Sequence, residues 1–189
     1  MRAVCVYCGS SAGASPDYEN AAIALADELL RRGLALVYGG ANKGTMGILA
    51  NAMLAGGGRV IGVIPRLLLE KEIAHESLTE QHVVESMHER KALMAEFADA
   101  FVALPGGFGT LEEIIETVTW AQLGLHAHPC GLLNVNGYFD ALLAYLAHAE
   151  AEEFLRPPHR QMLLVDTQPA ALLEQFATYR APRVAKWRD

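Results

Sequence analysis

The stretch PGGFGTLEE, residues 105–113, combines a glycine-rich turn with two carboxylates where a helix is predicted to start. Its glycines allow backbone N–H groups to converge on an anion, and Thr110 can add its hydroxyl. The dipole of the following helix adds positive potential at the same place. These features predict a phosphate site, and a monophosphate fits better than a pyrophosphate because the turn lacks the lysine of a P-loop.

The two glutamates raise the question of what a carboxylate does within one helical turn of an anion. Acids in a first turn stabilise the helix dipole by about 0.3–1 kcal/mol each, which is a sufficient role for Glu112 on an outer face. Glu113 lies three residues after Thr110, so both side chains project from the same side of the helix. We therefore expect Glu113 to face the ligand near a sugar. There it can accept ribose hydroxyl hydrogen bonds or stabilise positive charge at the anomeric carbon, and it can orient a water.

Arg90 and Lys91 lie at the start of another predicted helix, where the dipole disfavours cations. A solvated helix surface is the usual explanation for an isolated basic pair. A helix that accepts cations at its start indicates a nearby anion or carboxylate, and we favour this functional interpretation for Arg90. For Lys91 both interpretations stay open.

Two further glycine-rich loops follow predicted strands, at residues 8–15 and 39–45. The glycines of the first loop are too far apart for G-x-G-x-x-G, and no lysine follows the last glycine of GGANKGT in the second. Both loops can be ordinary tight turns. The adjacent Gly39 and Gly40 favour instead a close approach of the backbone to a ligand.

Apolar runs alternate with helical periodicity along nearly the whole chain, and these elements must position the motifs. The predicted strands are residues 3–7, 34–38, 59–64, 81–85, 100–104, 130–135 and 162–166. The predicted helices are residues 17–32, a helix that ends near 56, then 88–98, 110–123, 138–152 and 169–179, with a short helical excursion and a loop within 65–80. Strands that are apolar throughout are buried on both faces. The pattern therefore predicts an α/β fold, a doubly wound parallel sheet with helices on both faces, in a single nucleotide-binding domain over residues 1–189.

In such a sheet, the loops that leave the carboxyl ends of the strands emerge on one edge, and ligands bind there. The loops on that edge are residues 8–15, 39–45, 86–91 and 105–110. Together they predict a nucleotide site. We expect Ser10 from the first loop and Gly40 from the second to contact the substrate.

The composition limits the partners. The chain has 189 residues and a formal net charge of −7, which argues against a nucleic-acid binder with a broad basic face. The sequence contains no transmembrane run, and its start does not have the pattern of a signal peptide, so no membrane partner is expected. Three cysteines, an odd number, indicate reduced thiols and a cytoplasmic location.

Two sequence patterns invite a redox or metal interpretation. Cys5 and Cys8 form a C-x-x-C, which is compatible with a redox pair, but residues three apart on a strand point to opposite faces. A packed Cys5 and a strand-end Cys8 are therefore the favoured interpretation. His126 and His128 have no carboxylate or thiolate neighbours in the sequence, so we predict no metal site.

Four segments resemble one known family: CVYCGSS, VYGGANKGTMG, MHERKALM and above all PGGFGTLEE. They are similar to the Lonely Guy family, cytokinin riboside 5′-monophosphate phosphoribohydrolases that are often mislabelled as lysine decarboxylases. The resemblance extends from Val4 to about Ala177. It implies a Rossmann-like domain, a dimer or larger oligomer, and hydrolysis of the N-glycosidic bond of a nucleoside 5′-monophosphate to free base and ribose 5-phosphate, without a cofactor. It leaves open whether the base is adenine or an N6-modified, cytokinin-type adenine.

The resemblance also implies roles for particular residues. Arg90 and Glu113 are the implied catalytic pair, with Glu113 either a base or an electrostatic stabiliser. The implied substrate contacts are Glu72, Lys91, Gly107, Phe108, Gly109, Thr110 and Thr119. Residues 41–43 depart from the small, uncharged stretch common in the family, and their role stays open. The alternatives are a non-catalytic nucleotide or molybdenum-cofactor carrier, and a pyridoxal-phosphate decarboxylase that would need Lys43 or Lys91 in the crevice.

Overall fold

The structure is a computed structural model that describes residues 1–69 and 74–182. Within these residues, parallel strands form a single sheet in the order β4-β3-β2-β1-β5-β6-β7. The strands are β1 (Ala3–Tyr7), β2 (Ala35–Tyr38), β3 (Val60–Pro65), β4 (Glu80–Val84), β5 (Ala100–Ala103), β6 (Cys130–Leu133) and β7 (Leu163–Asp166). The predicted doubly wound parallel sheet is confirmed.

Helices connect successive strands and cover the sheet. They are α1 (Pro16–Arg31), α2 (Gly44–Ala55), α3 (Arg66–Leu69), α4 (Met87–Phe97), α5 (Phe108–Gln122), α6 (Asp140–Ala151), α7 (Pro157–Arg160) and α8 (Pro169–Thr178). Local signals explain their starts. In α1, Ser15 Oγ accepts a hydrogen bond from the Asp17 N–H at 3.2 Å, and Pro16 takes the first position, where its missing N–H costs nothing. No helix of the described residues is both long and apolar enough to cross a membrane.

Helices lie on both faces of the sheet, because side chains of the central strands enter two cores. In β1, Val4 and Val6 belong to the core under α1, α2 and α8, whereas Cys5 and Tyr7 belong to the core under α4 and α5. Cys8 joins the first core, so the two cysteines of the C-x-x-C lie on opposite faces of the sheet and are free. This confirms the packed interpretation of the motif.

Strand order reverses between β1 and β5, which pair in register with Tyr7 opposite Ala103. The crossover from β1 leads outward through β2, β3 and β4, whereas β5 begins the half that continues through β6 and β7. The loops that follow β1 and β5 therefore diverge at this point and open a crevice at the carboxyl edge.

Several boundaries differ from the predicted ones, and local contacts explain them. Strand β6 ends at Leu133, where the chain turns into a 3₁₀ turn at Val135–Gly137 before α6, and the Asn134 side chain accepts the Phe139 N–H across this turn at 2.8 Å. The short helix α7 has no counterpart among the predicted elements. Strand β4 is half-exposed because it forms the edge of the sheet. The short helical excursion within 65–80 is α3.

Candidate active site

A cavity of about 240 Å³ opens at the carboxyl edge of the sheet. It receives at least one residue from each of the four predicted loops or from the helices they begin. These residues include Ser10 after β1, Gly39 after β2, Arg90 on α4, and Gly107, Thr110 and Glu113 at the start of α5. The geometry expected from a parallel sheet thus brings together segments that are about a hundred residues apart.

The glycine-rich turn after β5 begins α5 two residues earlier than predicted. Gly107 is the N-cap, and the Leu111 N–H donates to the Gly107 carbonyl at 3.1 Å. The N–H groups of residues 108–110 come before this first helical hydrogen bond, so they are available to an anion at the positive end of the helix dipole. Thr110 is 3% exposed and lines the cavity.

Contacts with neighbouring elements fix the turn and the loop after β1. The Tyr138 hydroxyl donates to the Gly106 carbonyl at 2.8 Å. The Thr45 hydroxyl at the start of α2 donates to the Gly9 carbonyl at 3.0 Å. Two hydrogen bonds from neighbouring segments therefore hold the rim of the cavity, which favours a preformed site over one assembled on binding.

A buried ion pair spans the cavity wall between α4 and α5. Arg90 Nη1 donates to Glu113 Oε1 at 2.9 Å, and Arg90 Nε donates to the Val63 carbonyl at 3.1 Å. The two charged side chains are only 10% and 9% exposed. Burial raises the pKa of the Glu113 carboxyl above its usual value, and the Arg90 guanidinium opposes this rise without cancelling it. Glu113 is therefore the carboxylate that we expected near Arg90 at the start of α4.

Glycine at position 39 is required by the position of Arg90. A Cβ on Gly39 would lie 2.0 Å from Arg90 Nη2, so the guanidinium lies directly against the backbone. Gly40 does not line the cavity: its Cα packs on β3, where an added Cβ would lie 3.1 Å from Ile64 Cβ. The glycine of this pair that faces the cavity is Gly39, whereas the sequence led us to expect Gly40.

Two other predicted contact residues lie away from the cavity. Lys91 does not line it, because its ammonium contacts Glu112 and lies 2.8 Å from Glu116 Oε2. The Thr119 hydroxyl donates to the Ile115 carbonyl at 2.7 Å on the exposed side of α5. It is nine residues, about 13 Å along the helix axis, beyond Thr110. Glu112 is more than half exposed, as expected for an outer face.

The remaining predicted contacts divide as follows. Ser10, Phe108 and Gly109 line the cavity, and the Phe108 side chain is 94% exposed at its mouth. Glu72 lies outside the described residues.

Sequence reasoning missed several residues of the cavity wall, among them Val6 and Tyr7 at the carboxyl end of β1. Their position at a strand end next to the glycine loop was the signal that could have found them. Burial raises the pKa of the Cys8 thiol to about 12, so it is a neutral thiol at physiological pH. The Tyr7 hydroxyl and Thr117 Oγ1 are 3.0 Å apart, which ties β1 to α5 beneath Glu113.

None of the described residues form a group of three side chains suited to a metal. The two histidines considered for that role are engaged elsewhere. His126 Nε2 contacts the Thr117 carbonyl at 2.9 Å, and His126 Nδ1 accepts the His128 N–H at 3.2 Å. Their contacts serve the loop after α5, at the opposite edge of the sheet from the cavity.

Comparison with solved structures supports the fold. The molybdenum cofactor binding protein from Rippkaea orientalis matches with a TM-score of 0.70 at 20% identity, covering 94% of this chain and 96% of that one. The molybdenum cofactor carrier protein from Chlamydomonas reinhardtii matches with a TM-score of 0.70 at 19% identity, covering 95% and 99%. At these identities the likeness concerns the fold alone.

Comparison of sequences is more specific. A probable cytokinin riboside 5′-monophosphate phosphoribohydrolase of Oryza sativa subsp. japonica is 52% identical over 179 residues, which are 95% of this chain and 79% of the relative. A cytokinin riboside 5′-monophosphate phosphoribohydrolase of Arabidopsis thaliana is 47% identical over 186 residues, 98% of this chain and 87% of the relative. The model of a protein family described as "possible lysine decarboxylase" matches residues 46–176. This chain therefore belongs to that family, within which it is similar to the phosphoribohydrolases of the Lonely Guy type.

Proposed function

We propose that this protein is an N-glycosidase that hydrolyses a nucleoside 5′-monophosphate to free base and ribose 5-phosphate. The observation that carries the proposal is the buried contact of Arg90 with Glu113, one helical turn from the anion-binding start of α5. Relatives about half identical to this chain bear the name of this activity. The carrier proteins share the fold at about 20% identity, which gives the carrier alternative less support.

The proposed mechanism assigns the 5′-phosphate to the N–H groups at the start of α5 and to Thr110. The ribose then lies toward Glu113, whose carboxylate stabilises positive charge at the anomeric carbon as the bond to the base breaks. Water adds its hydroxyl to that carbon and its proton goes to the departing base. Arg90 holds the Glu113 carboxylate in place through a hydrogen bond, and the fixed phosphate converts remote binding energy into rate.

The test of this function is release of free base. The protein is incubated with AMP, other purine and pyrimidine nucleoside monophosphates and an N6-prenylated AMP, and products are separated by chromatography. We expect adenine or an N6-modified adenine together with ribose 5-phosphate. Tight binding of a nucleotide that stays intact would support the carrier alternative, and a pyridoxal aldimine absorbance band would support the decarboxylase. A decarboxylase would need a lysine in the cavity to bind pyridoxal phosphate. Neither lysine considered for this role is suited to it, because Lys91 is paired with glutamates and Lys43 is exposed at the N-cap of α2.

The two neighbouring glycines after β2 are expected to respond differently to the same substitution. Gly39→Ala should lower kcat/KM for base release by about 10-fold to 10²-fold, because the methyl group displaces the guanidinium of Arg90. Its thermal stability should also fall, because the guanidinium that the methyl group displaces is buried and paired with Glu113. Gly40→Ala should cost about 1–2 kcal/mol of stability without displacing Arg90, because Gly40 has φ +75°. Rates and melting temperatures of both variants check this, and a fully active Gly39→Ala would contradict the role given to the Arg90 position.

A homodimer or larger homo-oligomer is part of the proposal. Phe108 and Ile115 of α5 and Leu123 at its C-cap recur at helical spacing on one exposed stripe, and Thr119 lies on the same stripe. Such a stripe is typical of a subunit interface. Light scattering should give at least twice the chain mass of 20.5 kDa, and an active 20.5 kDa species at micromolar concentration would argue against the interface.

A cytoplasmic location is likewise proposed. It rests on the three cysteines of the sequence, all within the described residues and all free.

A further inference from the structure

Lys91 follows Arg90 on α4, yet the two cations have different partners. Arg90 points into the cavity and contacts Glu113, whereas the Lys91 ammonium lies between two other carboxylates of α5, Glu112 and Glu116. The Lys91 side chain is 8% exposed, so it lies in the groove between the helices and not on the surface. Although burial alone would lower the pKa of Lys91, its hydrogen bonds to these carboxylates raise it.

The arrangement of the acids on α5 explains why one lysine has two partners. Glu112 and Glu116 are four residues apart and therefore lie on one face of the helix, where like charges destabilise it. A single ammonium between them removes this repulsion. Consecutive cations on α4 thus meet acids on α5, and two sets of ion pairs link the helices where each enters the cavity wall.

We propose that Lys91 is a positioning residue that acts through Glu112 and Glu116 to hold the start of α5 against α4, and that it does not contact the substrate. The proposal deepens the proposed function and rests on it. It gives roles to Glu112 and Glu116 that the sequence did not suggest, and it replaces the substrate contact that the family resemblance implied for Lys91.

The same three charges act on Glu113 with opposite signs. Burial is the main cause that raises the pKa of Glu113; Glu112 and Glu116 raise it further, whereas Arg90 and Lys91 lower it. Cys5 and Tyr7 of β1 and Cys8 just after it also lie near this carboxyl; burial raises the pKa of all three, and the Glu113 charge raises it further, so they are neutral and add no charge beside Glu113. Removing the lysine charge therefore makes Glu113 easier to protonate, and removing the two carboxylate charges makes it harder.

The experiment compares Lys91→Met, the double variant Glu112→Gln/Glu116→Gln, and the triple variant that combines them. Kinetics are measured with AMP and with adenosine across pH. We expect Lys91→Met and the double variant each to lose about 10-fold to 10²-fold in kcat, and the triple variant to lose no more than Lys91→Met. The ratio of kcat/KM for AMP to that for adenosine should stay at the wild-type value. In a plot of kcat/KM against pH, the fall in activity at acidic pH should move to higher pH in Lys91→Met and to lower pH in the double variant.

Glu80→Gln is the matched control, because Glu80 forms an exposed ion pair with Arg59, 2.6 Å apart, at the start of the edge strand β4. Its kinetics should equal those of the wild type. The proposal is overturned if Lys91→Met abolishes discrimination between AMP and adenosine while the double variant retains full activity, because Lys91 would then be a phosphate ligand.

Thermal unfolding tests the coupling independently of any activity: the triple variant should melt above the double variant, in which a buried ammonium is left without its carboxylates. A triple variant that melts no higher than the double one would also overturn the proposal, whatever reaction the protein catalyses.

Discussion

Glu113→Gln is expected to lower kcat/KM for a nucleoside 5′-monophosphate by about 10²–10⁴-fold. The amide oxygen of glutamine can still accept the hydrogen bond that Arg90 Nη1 donates to Glu113 Oε1 at 2.9 Å, so the cavity wall keeps its shape. What disappears is the negative charge beside the anomeric carbon and the group that can orient or deprotonate water. Initial rates of base release, measured at saturating and limiting substrate, check the expected loss.

Stability provides the control for this variant. The folded-state pKa of Glu113 is raised by burial, so ionisation of this group opposes folding once the pH exceeds the pKa of the unfolded chain. Replacing it with neutral glutamine removes that cost. It also leaves the buried Arg90 guanidinium without its carboxylate, so the variant should fold cooperatively but melt below the wild-type temperature at neutral pH. If the variant is folded and nearly as fast as the wild type, Glu113 is not catalytic and only stabilises the helix dipole.

The pH dependence follows from the same pKa. A carboxyl whose pKa is raised becomes protonated at a higher pH than an ordinary glutamate, and the protonated form cannot stabilise a cation. The acidic limb of kcat/KM should therefore lie above the usual glutamate range, and it should be absent from the residual activity of Glu113→Gln. The limb is expected whether Glu113 acts as a base or as an electrostatic stabiliser, since both roles need the carboxylate.

Much of the fold could be predicted because its signals are local. Apolar runs such as residues 3–7 and 100–104 are too uniform for half-exposed strands, and both proved to be buried on both faces. Ser15 and Pro16 marked a helix start with side-chain chemistry that acts within a few residues. The start of α5 was harder to predict because its N-cap, Gly107, has no side chain with which to signal the boundary.

The site was predictable to the extent that topology decides it. Parallel strands carry their following loops to one edge, and this rule alone brought Ser10, Arg90 and Glu113 to one cavity. The side-chain direction of Lys91 depends on how α4 packs against α5, which the sequence does not state. For the same reason the sequence could not show that Gly39, and not Gly40, lies against Arg90.

Removing the 5′-phosphate from the substrate is expected to lower kcat/KM by about 10²–10⁴-fold. The start of α5 offers the N–H groups of residues 108–110, the Thr110 hydroxyl and the positive end of the helix dipole. Hydrogen bonds to a charged group contribute about 1.5–3 kcal/mol each, so two of them account for the expected factor. Because the phosphate is remote from the bond that breaks, part of the loss should appear in kcat as well as in KM.

Thr110→Val provides the internal control for the phosphate prediction, because the valine keeps the shape of threonine and removes its hydroxyl. The variant should lose about 10-fold to 10²-fold with AMP, as expected for one hydrogen bond to a charged group. Its rate with adenosine should equal that of the wild type, since adenosine has no phosphate for the hydroxyl to bind. Side-by-side kinetics with AMP and adenosine on both proteins measure this difference. Cleavage of adenosine as fast as AMP would mean that the glycine turn is a structural helix start, and the anion-binding role given to residues 107–110 would have to be abandoned.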